Sequence, residues 1–556
     1  MRRFLITILL ASALVLQLPV GYAQRKTAKT SKPTAASAAV QRGTNVIAAK
    51  QLRDYLSFIA SDEMEGRDTP SRGLDTVARF LAMNLSRWGL KPAGDEGSYF
   101  QRIALRRDRV DATQTRVEVN GRALILGEDY IPTPIAGSAS GQLVFAGNGW
   151  LIKSKNIDAY KDIDARGKIA VVFAAPNSFP RGLRRSDLAG KHGEDWMGVS
   201  EYASKQGVAG IIYVPDFQYL AYWNRTRQRI LERGSTLVEK FQAQTAARIP
   251  SVTISPELAN SLFQGEKEQA TPIFEQMNGE GQIPASFELK PDKKFSINIV
   301  VNNENVGTQN VVAVWEGSDP VLKNEYVALG AHYDHVGLSN LQRGDSIFNG
   351  ADDDGSGTTA LLAMAEALSH ATMRPKRSIL FVWHAGEEKG LWGSRYFTEY
   401  PTVPLDRIVA QLNIDMIGRS KQAGDTDPRN KELSGPNDIY VIGSKMMSTE
   451  LGELSEMVNS SFLNLNYDYR YDDIRDPNRF FSRSDHYSYA RKGIPIIFYF
   501  DGVHEDYHQP SDSADKIDYH KMEKVTQTVY MTLWEVANRS VRPKVDKQLP
   551  PELTRE

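Results

Sequence analysis

The stretch EYVALGAHYD at residues 325–334 decides the fold. A mostly apolar run leads to a histidine and an aspartate, which is typical of a buried strand that ends in polar side chains. Two similar runs follow: SILFVWH at 378–384, shortly before Glu387 and Glu388, and IVAQLNI at 408–414, directly before Asp415. From residue 310 to about 538, apolar strands alternate with amphipathic helices. This pattern predicts an α/β domain.

The ends of these three strands predict a binding site. In open α/β sheets, ligands bind beyond the carboxyl ends of the strands. Any single histidine or carboxylate there could simply mark the end of a strand, but three strands that each deliver one to the same edge favour a metal site. The chain has no cysteine, so a metal must be held by His, Asp or Glu.

An aspartate triplet lies between the first two strands, in NGADDDGSG at 349–357. Three adjacent carboxylates repel one another, so an ordered triplet needs a cation or several hydrogen-bond donors. A solvated turn and a calcium loop are the alternatives. An EF-type loop that starts at Asp352 would need a glutamate at its twelfth position, where Ala363 stands. Calcium binding by that route is therefore disfavoured.

The sequence HEDYH at 504–508 matches the HExxH motif of mononuclear zinc proteases. That motif works only on a helix, because its two histidines must share one face. Asp501 and Gly502 precede it and Pro510 follows it, and the residue before a proline is pushed out of the α region. We therefore expect His508 to be a loop ligand and Glu505 to be incidental.

Composition excludes several classes of protein. Hydrophobic residues make up 41% of the 556 residues and charged residues 24%, as in soluble globular chains rather than disordered or polytopic membrane proteins. The net charge of −1 provides no basic field for nucleic acid. The absence of cysteine excludes disulfides, thiol nucleophiles and Cys-ligated zinc.

The chain begins with a pattern typical of a signal peptide. Arg2 and Arg3 precede an apolar run from 4 to 20, and small residues up to Ala23 offer a cleavage site. A retained membrane anchor fits less well, because the run is short and contains Pro19. A twin-arginine signal fits less well still, because Phe4 follows Arg3 directly. We expect residues 1–23 to be removed, residues 24–44 to form a flexible leader, and the protein to be periplasmic or secreted, with no stable membrane insertion.

The remaining segments divide the chain. Residues 114–295 contain short β-rich runs and one polar segment, 223–248, that predicts an inserted helix or lid. Residues 45–113 are largely helical in pattern and join residues 296–538 as the main domain. The tail, residues 539–556, is rich in proline and charge and predicts disorder.

Taken together, five blocks resemble those of the co-catalytic zinc exopeptidases, a family of secreted bacterial aminopeptidases and their glutamate carboxypeptidase relatives. The blocks are HYD at 332–334, GADDD at 350–354, GEE at 386–388, NID at 413–415 and YH at 507–508. The resemblance implies a three-layer mixed-sheet domain with helices on both faces and two zinc ions per chain. Segment 114–295 is similar to an inserted protease-associated domain, which would act either as a spacer or as a lid over the site.

The resemblance also implies a role for each matching residue. His332 and Asp415 would bind one zinc, Glu388 and His508 the other, and Asp353 both. Glu387 would be the general base. The remaining implied roles belong to Asp334, which would orient His332, and to Tyr507, which would support the tetrahedral intermediate; Asp485 and His486 would line the site.

Several activities remain open at this point. An aminopeptidase acting on peptides or small proteins is the expected function. The alternatives are a carboxypeptidase, in which Arg419 or Arg483 would meet a substrate carboxylate, a glutaminyl-cyclase-like transferase with one zinc, and a mononuclear HExxH endoprotease. A non-catalytic relative is disfavoured, because all five ligand positions are filled. The oligomeric state and the natural substrate do not follow from the sequence.

Overall fold

The computed structural model describes residues 42–183, 187–242, 249–279, 283–339 and 344–554. The predicted signal peptide, residues 1–23, lies outside the described residues. Of the predicted leader, residues 24–44, only 42–44 are described, and Thr44 is buried there.

Two sheets contain most of the strands. In chain order the strands are β1 (Lys91–Pro92), β2 (Phe100–Val110), β3 (Arg116–Val119), β4 (Arg122–Ala123), β5 (Tyr130–Pro132), β6 (Gly137–Phe145), β7 (Leu151–Ile152), β8 (Ile157–Asp158), β9 (Ile169–Phe173), β10 (Trp196–Met197), β11 (Gly210–Val214), β12 (Ser235–Val238), β13 (Ser251–Ile254), β14 (Phe287–Glu288), β15 (Lys294–Ile299), β16 (Val301–Trp315), β17 (Tyr326–His332), β18 (Gly337–Leu338), β19 (Ile347–Phe348), β20 (Ser378–His384), β21 (Ile408–Ile414), β22 (Asp438–Ile442), β23 (Asn466–Asp468) and β24 (Ile496–Phe500).

The helices are distributed along the described part of the chain. In chain order they are α1 (Ala49–Ile59), α2 (Arg72–Arg87), α3 (Val199–Lys205), α4 (Phe217–Ala221), α5 (Trp223–Gln228), α6 (Pro256–Phe263), α7 (Ala270–Asn278), α8 (Gly357–His370), α9 (Trp392–Glu399), α10 (Thr449–Ser461), α11 (His486–Arg491), α12 (Tyr519–Asn538) and α13 (Pro551–Thr554). In the described part of the chain, no helix has both the length and the apolar character needed to cross a membrane.

The larger sheet carries the predicted site. Its strand order is β12-β2-β16-β20-β17-β21-β24-β22-β23, with β1 also paired to β16. The central strands β20, β17, β21 and β24 run parallel to one another, and β16 and β22 flank them as antiparallel strands. Every residue of β20 and β21 is buried, as expected for parallel strands that are covered on both faces.

Helices cover this sheet on both faces. Along β20, Ile379 and Phe381 pack into a core with α1, α2, α8 and α12, while Leu380 and Val382 pack into a second core with α9 and α11. This division follows from the alternation of side chains along a strand. The predicted mixed α/β architecture with helices on both faces is confirmed.

A second sheet lies within the β-rich segment. Its order is β4-β3-β15-β6-β9-β11-β13-β5, with β14 also paired to β6. Its core contains Phe145, Phe173 and Phe263, which pack edge to face. The assignment of residues 114–295 to a protease-associated domain, and of 45–113 and 296–538 to the peptidase domain, stays a prediction.

The polar segment 223–248 differs from the prediction of a helix or lid. Helix α5 begins it, but β12 follows and pairs antiparallel with β2 at the edge of the large sheet. Val238 is buried there against Ile103 and Leu105. A four-residue strand of mixed polarity gives little periodicity, which is why the sequence did not reveal it. Residues 243–248 lie outside the described residues.

The tail, predicted as disordered over residues 539–556, lies against the main domain over residues 539–554. Arg542 donates to the Glu325 carboxylate at 2.7 Å and to the Asp406 carbonyl at 2.8 Å. Leu549 and Leu553 pack on the core beside α11. The charge of Arg542 is therefore paired with a carboxylate of the domain, a relation between distant residues that composition does not reveal. Residues 555–556 lie outside the described residues.

Candidate metal centre

The ends of the parallel strands bring the predicted ligands to one edge of the sheet. His332 pairs in register with His384 on β20, Gly330 with Asn413 on β21, and Ile414 with Tyr499 on β24. The segments that leave these strands at that edge carry Glu387, Glu388, Asp415 and His508. The spatial arrangement therefore follows from the parallel register of four strands.

Asp353 lies between the two predicted ligand pairs. Its Oδ1 is 3.2 Å from His332 Nε2, and its Oδ2 is 3.0 Å from His508 Nε2. His332 Nε2 is also 3.6 Å from Asp415 Oδ1, and His508 Nε2 is 3.1 Å from Glu388 Oε1. The Asp353 carboxylate thus lies between two sets of possible metal donors, His332 with Asp415 and His508 with Glu388.

The other two aspartates of the triplet face the protein. Asp352 Oδ1 accepts from the Gly418 amide at 2.6 Å. Asp354 accepts from the amides of His332, Gly357 and Met416. These donors compensate two of the three buried charges, which leaves the middle carboxylate directed at the histidines. The peptide bond between Asp353 and Asp354 is cis.

Asp512 holds the backbone of the aspartate triplet in place. Its carboxylate accepts from the backbone amides of Asp352 and Asp353 at 3.0–3.1 Å. Burial, followed by the nearby charge of Asp352, raises the pKa of Asp512 to about 6, although His504 opposes the shift. The sequence had not singled out this residue.

The donor spacing fits tetrahedral zinc. Donors held at roughly 2.0–2.1 Å from a tetrahedral zinc ion lie about 3.3 Å apart, and the donor distances around Asp353 run from 3.0 to 3.6 Å. Glu388 Oε1 and His508 Nε2 are buried atoms without a hydrogen-bond partner among the described residues. Nitrogen and carboxylate donors that converge without hydrogen bonding to each other are what a zinc site requires.

Asp353 and His508 hold each other in their ionised forms. Burial raises the pKa of Asp353, but the adjacent imidazoles of His332 and His508 outweigh it and hold the pKa well below the usual range. Burial lowers the pKa of His508, but Asp353 and Glu388 outweigh it and raise the pKa to about 10. In the zinc-free protein, protons on the histidines therefore balance the carboxylates.

Glu387 differs from its neighbour Glu388. Its Oε2 lies 4.0 Å from His332 Nε2, and its side chain is 13% exposed. Burial raises its pKa well above the usual value; Glu388 and Asp415 add to the shift, while His332 opposes it. Burial and the charge of Asp353 raise the pKa of Glu388, but the close imidazoles of His335 and His508 outweigh them and lower it to about 2. A raised pKa suits a group that must take up and release a proton.

Asp334 connects His332 to Glu387. The His332 Nδ1 lies 3.1 Å from the backbone carbonyl of Asp334 and 3.6 Å from its carboxylate. That carboxylate accepts from the Glu387 amide at 3.1 Å and from the Thr69 hydroxyl at 3.1 Å. The nearest partner of the His332 ring is thus the carbonyl of Asp334 rather than the expected carboxylate.

Tyr507 lies over the site beside His508. The two rings stack with their centroids 4.0 Å apart. Arg483, an exposed residue, donates to the Tyr507 hydroxyl at 3.5 Å. Burial raises the pKa of Tyr507, with Asp353 and Glu388 adding to the shift, so the phenol keeps its proton.

Asp485 and His486 occupy different environments. Asp485 Oδ2 is 3.3 Å from His384 Nδ1, at the end of β20. His486 instead packs in the core, where its ring stacks on Phe498 and its Nε2 bonds the Phe481 carbonyl at 2.8 Å. Burial lowers the pKa of His486 to about 4. The expectation that His486 lines the site is therefore replaced by a core position, because the short helix α11 turns its side chain away from the strand ends.

The HExxH sequence does not form a helix. Residues 504–508 form turns, and His508 has a φ of 54°. His504 Nε2 lies 3.2 Å from Asp352 Oδ2, and Glu505 pairs with Arg419 at 3.2 Å. Arg419 also pairs with Asp506 at 2.9 Å, so its guanidinium is held by protein carboxylates. This arrangement lacks the shared histidine face that the mononuclear motif needs.

Sequence reasoning missed His335. Its side chain is fully buried, and its Nδ1 is 2.9 Å from Glu388 Oε1 and 3.8 Å from Asp353 Oδ2. The ligand atoms of His335, Asp353, Glu388 and His508 all lie within 4.8 Å of one another. The only sequence signal was a second histidine three residues after His332, and the direction of a side chain in a loop cannot be inferred from spacing.

Arg67 was also missed. This fully buried side chain donates to four carbonyls, those of Ile59, Tyr333, Asn349 and Gly350, at 2.6–2.9 Å. It therefore ties the loop after β17 to the loop before the aspartate triplet, and both loops carry predicted ligands. A lone arginine in the N-terminal part of the main domain gives no sequence signal for such a role.

Known proteins resemble this region of the chain. Residues 310–533 match the model of Peptidase family M28. A probable leucine aminopeptidase from Arthroderma benhamiae is 29% identical over 226 residues, which cover 39% of this chain and 56% of that protein. Leupeptin-inactivating enzyme 1 from Streptomyces exfoliatus is 28% identical over 208 residues, covering 37% and 38%. The chain thus spans about half the length, or less, of these curated relatives.

One solved structure is similar along most of the chain. The aminopeptidase from Aneurinibacillus sp. strain AM-1 aligns with 92% of this chain and 100% of its own, at a TM-score of 0.53 and 16% identity. At that identity the likeness concerns the fold.

Proposed function

We propose that the protein, whose residues 310–533 match the model of Peptidase family M28, is an aminopeptidase that uses two zinc ions per chain. The observation that carries the proposal is the position of Asp353, with one oxygen 3.2 Å from His332 and the other 3.0 Å from His508. The leucine aminopeptidase among its relatives supports release of an N-terminal residue.

The ligands fall into two sets. His332 and Asp415 would hold one zinc ion, Glu388 and His508 the other, and Asp353 both. Bound zinc would polarise the scissile carbonyl and make a water molecule acidic enough to lose a proton near neutral pH.

Glu387 is the proposed general base and acid. Its carboxylate takes a proton from the attacking water as the new C–O bond forms at the peptide carbonyl. It then gives that proton to the departing amine as the C–N bond breaks, so the protein returns to its starting state. The Asp334 carboxylate fixes the Glu387 backbone at 3.1 Å, and Tyr507, protonated and beside His508, donates to the oxyanion.

Substrate access is proposed to come from the side of His508. The His508 side chain is 35% exposed, whereas that of His332 is 1% exposed. We propose that the substrates are peptides or small proteins and that the protein acts on them after export. We also propose that segment 114–295 is a lid that limits the access of long chains. The supporting features are the predicted signal peptide and the absence of predicted ligands within that segment.

A panel of peptides tests this function. Free-amine peptides, the same peptides with a blocked amine, and peptides that end in glutamate are compared with the zinc-loaded protein. Cleavage that requires the free amine supports the proposal. Cleavage of the blocked peptides from the carboxyl end would replace it with a carboxypeptidase, and cyclisation of N-terminal glutamine would replace it with a transferase.

A further inference from the structure

The two proposed zinc sites do not have the same number of protein donors. The His332 side offers three residues, His332, Asp353 and Asp415. The His508 side offers four, because His335 joins Asp353, Glu388 and His508. Tetrahedral zinc is filled by four protein ligands in structural sites, whereas catalytic sites keep one position open.

Three atoms on the four-residue side are unusual. His335 Nδ1, Glu388 Oε1 and His508 Nε2 are all buried and lack a hydrogen-bond partner among the described residues. His335 Nδ1 and His508 Nε2 nevertheless lie only 2.9 and 3.1 Å from Glu388 Oε1. Atoms that approach this closely without hydrogen-bond alignment are directed at a common point between them.

We propose that His335 is a fourth protein ligand of the Glu388–His508 zinc ion, so that this ion fills first and leaves last, while the His332–Asp415 site keeps the open position for substrate and water. The inference rests on the proposed two-zinc function and assigns different tasks to its two ions.

The surroundings agree with this division. His335 is fully buried and its ring packs against Gly350, where an added Cβ would lie 2.5 Å from the imidazole. Arg67 fixes the same loop, since the His335 amide donates to its carbonyl at 3.1 Å. On the other side, Glu387 lies 4.0 Å from His332, so the proposed base belongs to the three-residue site.

A cysteine at position 335 tests direct ligation. The chain has no cysteine, so H335C provides its only thiolate, and thiolate binding to cobalt(II) gives a charge-transfer absorption in the near ultraviolet. The full-length zinc-free protein is titrated with cobalt(II). We expect the band to grow with the first equivalent and then to stop. The matched control is H486C, another fully buried histidine, in which the band should be absent.

Metal removal provides a second readout that needs no cysteine. In the unmutated protein, a chelator should remove the two cobalt ions in separate steps. In His335→Ala the affinity of the tighter step should fall by roughly 10–100-fold or more, with the weaker step unchanged. Two ions that leave together in the unmutated protein, or an H335C protein that binds cobalt without the band, would overturn the assignment. Failure of the peptide panel with two-step binding intact would instead overturn only the proposed function.

Discussion

The second sheet buries an apolar core, in which the rings of Phe145, Phe173 and Phe263 pack edge to face. The carboxyl edge of the large sheet instead buries charged side chains, those of His332, Asp353 and Asp354. Apolar burial stabilises a fold directly. Buried charges are costly unless each is paired, and the edge pairs its charges through backbone amides, the histidines and Arg419. All three groups that could hold a metal, among the described residues, lie in the large-sheet region. The metal chemistry therefore belongs to the large-sheet region. By our proposal, the region of the second sheet controls the access of substrates.

The largest expected effect separates Glu387 from Glu388. Glu387→Gln keeps the shape but cannot accept a proton, so we expect kcat to fall by roughly three orders of magnitude, with KM and zinc content changing little. Glu388→Gln should lose zinc together with rate. Zinc content and kcat measured on both variants decide the matter: if Glu387→Gln loses metal and Glu388→Gln keeps it, the two assignments are exchanged.

The histidine and the glutamate of the HExxH sequence give the next contrast. His508→Ala removes a donor at 3.0 Å from Asp353, so metal and activity should both be lost. Glu505→Gln alters a residue that pairs with Arg419, and kcat should stay within about tenfold of the original value. A collapse of kcat in Glu505→Gln with its metal intact would favour the mononuclear protease.

Much of the metal centre could be predicted from the sequence, because it depends on strand ends. The parallel register of the strands brings His332 and Asp415 together independently of the loop conformations. The repulsion within the aspartate triplet already required a cation or several hydrogen-bond donors beside it. The positions of His335, Arg67 and His486 depend on loop geometry, helix orientation and contacts between distant segments. Neither spacing nor periodicity encodes those relations.

Zinc binding should depend on pH in a defined direction. The pKa of His508 in the zinc-free protein is raised to about 10, and that of His332 is raised as well. His508 is therefore protonated at pH 7 and must release its proton to bind zinc, and the shift of His332 acts in the same direction. Zinc binding should thus release protons, and zinc affinity should rise from pH 6 towards pH 10. Calorimetry in buffers of different ionisation enthalpy measures the number. A release of zero in the unmutated protein would contradict the assignment.

The smallest expected effect concerns the second sheet. Replacing residues 114–295 by a short linker removes none of the predicted ligands, although it also removes β12 from the edge beside β2. Zinc content should be retained, and turnover of dipeptides should change less than discrimination against long peptides. The measurement is the ratio of kcat/KM for a dipeptide and a decapeptide of the same N-terminal sequence. An unchanged ratio in a soluble, zinc-loaded variant would count against the lid.

The central claim is that Asp353 joins two zinc sites in one chain. The most direct measurement is the zinc content of the purified full-length protein, by mass spectrometry of the metal against protein concentration, after zinc loading and removal of free metal. We predict about two zinc ions per chain, as a co-catalytic site requires. Asp353→Asn should fall below that value while His486→Asn keeps it. Saturation of the unmutated protein at one ion per chain would contradict the account.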